Sequence, residues 1–222
     1  VSAAAKAPAG PVGIYGGSFD PVHFGHLRTA LELQHGLGLA GVLFIPSRRP
    51  PHRGAPRADA DARVQMLQAA LNGVPEFALD LRELQREGPS YTIDTLMSLR
   101  EEAPERSLVL ILGMDAFLGL LNWHRAAELP EYTHFIVAHR PGWQPPATGV
   151  LGEWLAARQT RTPDDLKAGA GRVFVHPVTA LDISSTAIRN AVAAGGDPRF
   201  LVPEAVRVII ARTRCYNGPT GN

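Results

Sequence analysis

The residues best suited to chemistry stand in one short run near the N-terminus, Gly16-Gly17-Ser18-Phe19-Asp20-Pro21-Val22-His23-Phe24-Gly25-His26. Apolar residues at three- and four-residue spacing follow from Gly25 (Leu27, Ala30, Leu31, Leu33, Leu37), which predicts a helix. Val12 to Tyr15 before the run reads as a short buried strand, so the run is a strand-to-helix turn. Glycines let such a turn approach a ligand closely. The helix start offers free N–H groups and the positive end of its dipole, which favours phosphate. Two histidines three residues apart at that start add donors for phosphate oxygens. The run matches neither a Walker A nor a G-x-G-x-x-G pattern. The competing readings of His23 and His26 are a metal pair or two solvated loop histidines. An H-x-x-H with no third ligand nearby is weak against the spacings of zinc sites.

A second set lies about 160 residues on: Asp182-Ile183-Ser184-Ser185-Thr186-Ala187-Ile188-Arg189. It reads as a helix start with three hydroxyl residues, which cap free N–H groups or donate to phosphate. Arg189 is unfavourable near a helix N-terminus unless an anion sits there. A third feature is the basic stretch Pro46 to Arg57, holding Arg48, Arg49, His52, Arg53 and Arg57. It has strong local positive potential, or is simply a solvated basic loop.

These residues must be positioned by the elements between them. Strands are predicted at Val42–Ile45, Phe77–Leu84, Leu108–Leu112, His134–Ala138 and Val173–Val175. Helices are predicted at Asp59–Leu71, Thr92–Glu102, Ser185–Ala194 and Glu204–Thr213, with a weak one after the Pro/Gly-rich stretch from Pro141. On the second helix Val64, Leu67, Ala70 and Leu71 share a face. Alternating strands and helices mean an α/β fold, a Rossmann-like, doubly wound, mostly parallel sheet. Its C-terminal helices carry the second phosphate motif. Ligands of such sheets bind at the carboxyl ends of the strands, where the glycine- and proline-rich loops fall.

Composition sets the bounds. Twenty-two basic against 21 acidic side chains give a formal charge of +1, which excludes a polybasic nucleic-acid binder. No run of about 18 apolar residues exists, so no membrane span is expected. Cys215 is the single cysteine, so no intrachain disulfide forms and a reducing, cytoplasmic setting is the simplest. Residues 1–10 read as a flexible leader, 11–213 as one domain and 214–222 as a C-terminal tail. Nothing in the sequence fixes an oligomeric state.

The first turn resembles the (H/T)-x-G-H signature of the nucleotidylyltransferase superfamily. The full string GGSFDPVHFGH resembles the bacterial nicotinate mononucleotide adenylyltransferases; phosphopantetheine adenylyltransferases carry Thr where this chain has His23. The C-terminal string resembles the superfamily's I-S-S-T-x-I-R motif. Pro50-Pro51-His52-Arg53 is similar to a P-P-H-K segment beside the mononucleotide, with Arg53 in place of Lys. Gly88 to Leu96 resembles an S-Y-T-x-D-T-L segment, Gly113-Met114-Asp115 a G-x-D, Asn122-Trp123-His124 a ring-stacking segment, and His139 to Gly142 an R-P-G turn. Ala126 stands where the family often has a second aromatic residue. Trp143–Arg172 carries no motif.

The resemblance implies transfer of AMP from ATP to nicotinate mononucleotide, without a covalent intermediate. His23, His26 and Arg189 would act on the reacting phosphates. Gly16, Gly17, Ser18, Phe19, Gly113, Asp115, Ile183, Ser184, Ser185 and Thr186 would join them in binding ATP. Asp20, His52, Arg53, Ser90, Tyr91, Thr92, Trp123, His124 and Arg140 would hold the mononucleotide. Mg²⁺ would come with the ATP phosphates, with no protein metal site. Transfer to nicotinamide mononucleotide or phosphopantetheine, or a non-catalytic nucleotide sensor on the same fold, are the alternatives.

Overall fold

The computed structural model of the chain describes residues 10–50, 54–139 and 144–217. In chain order the elements are β1 (Val12–Gly17), α1 (Phe24–Leu37), β2 (Gly41–Pro46), α2 (Ala60–Leu71), β3 (Phe77–Leu79), α3 (Arg82–Gln85), α4 (Thr92–Glu102), β4 (Leu108–Gly113), α5 (Met114–Leu118), α6 (Leu129–Tyr132), β5 (His134–His139), α7 (Gly149–Ala156), β6 (Gln159–Thr160), β7 (Val173–Pro177), α8 (Ser185–Ala193) and α9 (Glu204–Thr213). The seven strands form one parallel sheet in the order β3-β2-β1-β4-β5-β7-β6.

Both faces of the sheet are covered. Along β4 side chains alternate: Val109 and Ile111 enter one core, Leu108, Leu110 and Leu112 the other. This is why LVLIL reads as an unbroken apolar run. The first core takes buried residues from α1, α2, α8 and α9, the second from α4, α5, α6 and α7.

The chain order reverses between β1 and β4, which marks the topological switch point. The β1–β4 ladder runs from Val12↔Leu108 to Ile14↔Leu110, whereas β1 pairs with β2 as far as Gly17↔Pro46. The carboxyl ends of β1 and β4 therefore leave a crevice, with Gly16 and Gly17 on one side and Gly113 on the other.

Three expectations are corrected. The strand expected to reach Leu84 ends at Leu79. Asp80 Oδ1 accepts the Arg82 N–H at 2.9 Å, turning the chain into α3. The alternation of FALDLREL fits that helical turn as well as a strand. On α2 the buried residues are Ala62, Arg63, Met66, Leu67 and Leu71, so the inner face is rotated from the expected one and includes an arginine. The tail expected from residue 214 is packed where it begins: Tyr216 is fully buried in the first core. Among the described residues, no helix is long and apolar enough to cross a membrane.

Candidate active site

The site is built on the turn between β1 and α1. A Cβ on Gly16 would meet nothing within 4 Å, so the strand end opens onto the crevice. His23 is the buried N-cap of α1, in extended backbone with φ −147°. Its N–H donates to His26 Nδ1 at 3.3 Å, and the two imidazoles stack with centroids 3.7 Å apart. With Nδ1 accepting, the proton of a neutral His26 ring sits on Nε2, a donor. Phe19 adopts φ +46°, a conformation unusual for a side-chain-bearing residue. Its buried ring packs edge-on to Tyr15 at 5.8 Å and to His26 at 5.2 Å, which holds the turn in that shape.

The second motif lies over the first. Ser184 caps α8, its side chain accepting the Ala187 N–H at 3.1 Å. Ser185 Oγ donates to the Pro21 carbonyl at 2.9 Å. Arg189 Nη1 donates to the Asp20 carbonyl at 2.8 Å, and Nη2 to Thr186 Oγ1 at 3.1 Å. The Ile183 carbonyl stands 3.6 Å from where a Cβ on Gly25 would be. Ile183, Ser184, Ser185, Thr186 and Arg189 thus sit beside the histidine turn, though far from it in sequence. Both helices α1 and α8 begin at this place.

Asp20 is buried and its carboxylate is fully engaged within the protein. It accepts the N–H groups of Arg57 at 2.8 Å and Ala58 at 3.0 Å, and the Tyr216 hydroxyl at 2.7 Å. Burial, and then the charge of Asp20, push the Tyr216 hydroxyl well above the ordinary phenol range, so it remains a donor. The sequence indicated neither Tyr216 nor Arg63. Arg63 lies beneath the turn, 2% exposed, and Nη1 donates to the carbonyls of Ser18 and Ser47, each at 2.8 Å. The only sequence signal for Arg63 is its spacing, three and four residues before the apolar Met66 and Leu67.

Across the crevice, Gly113 ends β4 and exposed Asp115 lies in the first turn of α5. Burial, and then the charge of Asp115, raise the Tyr15 hydroxyl above its usual value, which ties Asp115 to the β1 side.

A second lobe of the site gathers at the start of α4. Thr92 is its first residue, where backbone N–H groups have no acceptor inside the helix. Tyr91, the N-cap, stacks on His124 with ring centroids 4.1 Å apart. Trp123 is half-buried against the second core. Ser90 Oγ accepts the N–H groups of Arg48 at 2.8 Å and Arg49 at 3.3 Å, so it anchors the start of the basic stretch beside α4. His52, Arg53 and Arg140, with Pro51, Pro141 and Gly142, lie outside the described residues.

Comparison with known proteins shows the family and the fold. The model of the cytidylyltransferase-like family matches residues 14–191. A probable nicotinate-nucleotide adenylyltransferase of Aeromonas hydrophila is 43% identical over 93% of this chain and 97% of its own length. A protein of that name from Cellvibrio japonicus is 45% identical over 92% of this chain and 98% of its own length. Among solved structures, Plasmodium falciparum nicotinic acid mononucleotide adenylyltransferase complexed with NaAD superposes with TM-score 0.71, covering 93% of this chain and 97% of that one. At 17% identity, that likeness is one of fold. The chain belongs to the cytidylyltransferase-like family and, within it, to the nicotinate-nucleotide adenylyltransferases.

Proposed function

We propose that this chain transfers the adenylyl group of ATP to nicotinate mononucleotide, forming nicotinate adenine dinucleotide and releasing pyrophosphate. The observation that carries the proposal is the convergence of two helix starts, those of α1 and α8, at one switch-point crevice, where free N–H groups suit phosphate. Ser185 and Arg189 bond directly to the backbone of the histidine turn.

The acceptor phosphate attacks the α-phosphorus of ATP in line. Its second pKa is about 6, so it is largely ionised near neutral pH and needs no strong base. The work left to the protein is to align two anions and stabilise the charge that builds on the α-phosphate and pyrophosphate. His26 Nε2, His23, the backbone N–H groups at the α8 start around Ser185, and the remaining guanidinium N–H groups of Arg189 supply donors and charge for that. Gly16, Gly17, Ser18 and Phe19 bring the backbone up to the nucleotide, while Gly113 at the end of β4 and Asp115 in the first turn of α5 face it from across the crevice. Ile183, Ser184 and Thr186 complete the α8 side.

The mononucleotide lies towards α4, where the N–H groups after Tyr91 and the helix dipole suit a pyridine carboxylate at Thr92. Tyr91, Trp123 and His124 offer flat surfaces for the ring. Ser90 and Asp20 hold neighbouring backbone, and His52, Arg53 and Arg140 add charge and donors for the phosphate. Magnesium enters as part of the Mg–ATP substrate. The donors gathered at the crevice are imidazole, hydroxyl, guanidinium and backbone N–H, a set that suits phosphate oxygens, and Mg²⁺ in turn prefers phosphate and water. The reaction is set in the cytoplasm.

Pyrophosphate release from ATP tests the reading, with nicotinate mononucleotide, nicotinamide mononucleotide and phosphopantetheine compared side by side. The expected result is release that is fastest with the nicotinate form. No release with any acceptor, or a preference for phosphopantetheine, would overturn it.

A further inference from the structure

Two phosphorylated substrates react only if they are held at one distance. In this fold the ATP turn leaves β1, and the basic stretch that serves the mononucleotide leaves β2. The two exits are neighbours, with Gly17 in register with Pro46. A single buried side chain spans them. Arg63 Nη1 donates to Ser18 O of the first turn and to Ser47 O of the basic stretch, both at 2.8 Å. The Ser47 N–H donates in turn to Gly17 O at 2.9 Å.

A buried guanidinium bonded to neutral carbonyls is an expensive way to fill a core. An apolar side chain of similar volume avoids the desolvation cost. The charges it feels, Asp20 first, act from beyond hydrogen-bond contact. What the guanidinium supplies is direction. Carbonyl and amide of one peptide point opposite ways. Drawing Ser18 O inward turns the Phe19 N–H away from Arg63, at the residue held at φ +46°. Drawing Ser47 O inward turns the Arg48 N–H outward, where it donates to Ser90 Oγ at 2.8 Å beside α4. One side chain therefore orients a peptide of the ATP turn and a peptide leading into the mononucleotide lobe. The other described end of the basic stretch returns to the same turn through Asp20, which accepts from Arg57 and Ala58.

We propose that Arg63 is a positioning residue that sets the spacing between the ATP-binding turn and the mononucleotide-binding stretch, by holding Ser18 and Ser47 on one guanidinium nitrogen. The proposal rests on the adenylyl-transfer reading. It separates binding from turnover: each substrate keeps its own subsite, and what is lost without Arg63 is their alignment.

The test uses Arg63→Gln and Arg63→Lys in the full chain. Steady-state kcat is measured, together with Kd for a non-hydrolysable ATP analogue and for nicotinate mononucleotide, each alone by calorimetry. In Arg63→Gln, kcat is expected to fall about tenfold or more while each Kd stays within about threefold of wild type. Arg63→Lys, which keeps a charged donor, is expected to recover most of the loss. A wild-type kcat in Arg63→Gln overturns the proposal. So does a loss fully explained by a smaller folded fraction, with Lys no better than Gln, and so does failure of both variants to fold, which would make Arg63 purely structural. Wild-type pyrophosphate release is measured alongside. Its absence overturns the assigned reaction, whereas a normal wild type with a normal Arg63→Gln overturns only the role of Arg63.

Discussion

A methyl group on Gly25 would stand 3.0 Å from both Cε1 and Nδ1 of the His23 ring. The glycine is therefore required by a side chain, not by its own backbone angle. Gly25→Ala is expected to push the stacked His23–His26 pair out of line and lower kcat by about tenfold or more, since small misplacements at a reacting centre are costly. A crystal structure of the variant showing an undisturbed His23 ring, with normal kcat, would contradict this. His26→Ala removes the ring donor that the proposed mechanism assigns to the reacting phosphates. It is expected to lower kcat by about 10²-fold with the fold intact, the usual effect of losing one charge-stabilising donor. A circular dichroism spectrum like wild type with kcat near wild type would sink the assignment. Residue by residue, the sequence was legible where side-chain type and function coincide. Glycines, histidines and hydroxyls at predicted helix starts stand out as candidate phosphate ligands by their chemistry, and the structure brings the two runs together. Arg63 was not legible, because a charged residue on a helix ordinarily faces water; only its spacing to Met66 and Leu67 placed it inside.

The long periodic segments α4 and α9 have the predicted boundaries, Thr92–Glu102 and Glu204–Thr213. Short elements did not show in advance. α3, α6 and β6 are two to four residues long, too short for periodicity to declare itself, and they depend on tertiary partners. The joining of elements was invisible for the same reason. Asp20 and Tyr216 are 196 residues apart, yet the hydroxyl donates to the carboxylate at 2.7 Å and pins the chain after α9 under the first turn. Removing that hydroxyl leaves a buried carboxylate one donor short. Tyr216→Phe is expected to cost about 1.5–3 kcal/mol, as for a hydrogen bond to a charged group. Urea unfolding checks this, and an unchanged midpoint would show that the tie carries no stability. At the other motif, Ser184→Ala removes the α8 cap and is expected to cost about 1 kcal/mol in the same measurement.

Across the whole molecule, the candidate site and a second buried polar anchor, His134, lie at opposite ends of the strands of one sheet. The candidate site lies at the carboxyl ends of β1 and β4. At the amino end of β5, His134 is 1% exposed and locks the sheet to the segment before β7. Its Nδ1 accepts the Arg172 N–H at 3.1 Å and its Nε2 lies 3.1 Å from the Ala168 carbonyl. Only a neutral ring protonated on Nε2 satisfies both partners. A second proton on Nδ1 would face the Arg172 N–H and break that bond. Burial lowers the pKa of His134 from its ordinary 6.5, the Ala168 carbonyl opposes that shift, and Arg172 and Arg100 reinforce it. The unfolded chain, with an unperturbed imidazole, binds the proton first. Stability from this site is thus present above pH 6.5 and is lost as pH falls from there towards the lower folded value. Thermal unfolding of the wild type is expected to show Tm declining from about pH 7 to 5.5, and His134→Asn, although less stable at pH 7, is expected to show a shallower decline. Equal slopes in the two proteins would place the acid sensitivity elsewhere. Because His134 lies at the far end of the strands from the β1–α1 turn, the same substitution is expected to leave kcat at pH 7.5 within about twofold of wild type once corrected for folded protein.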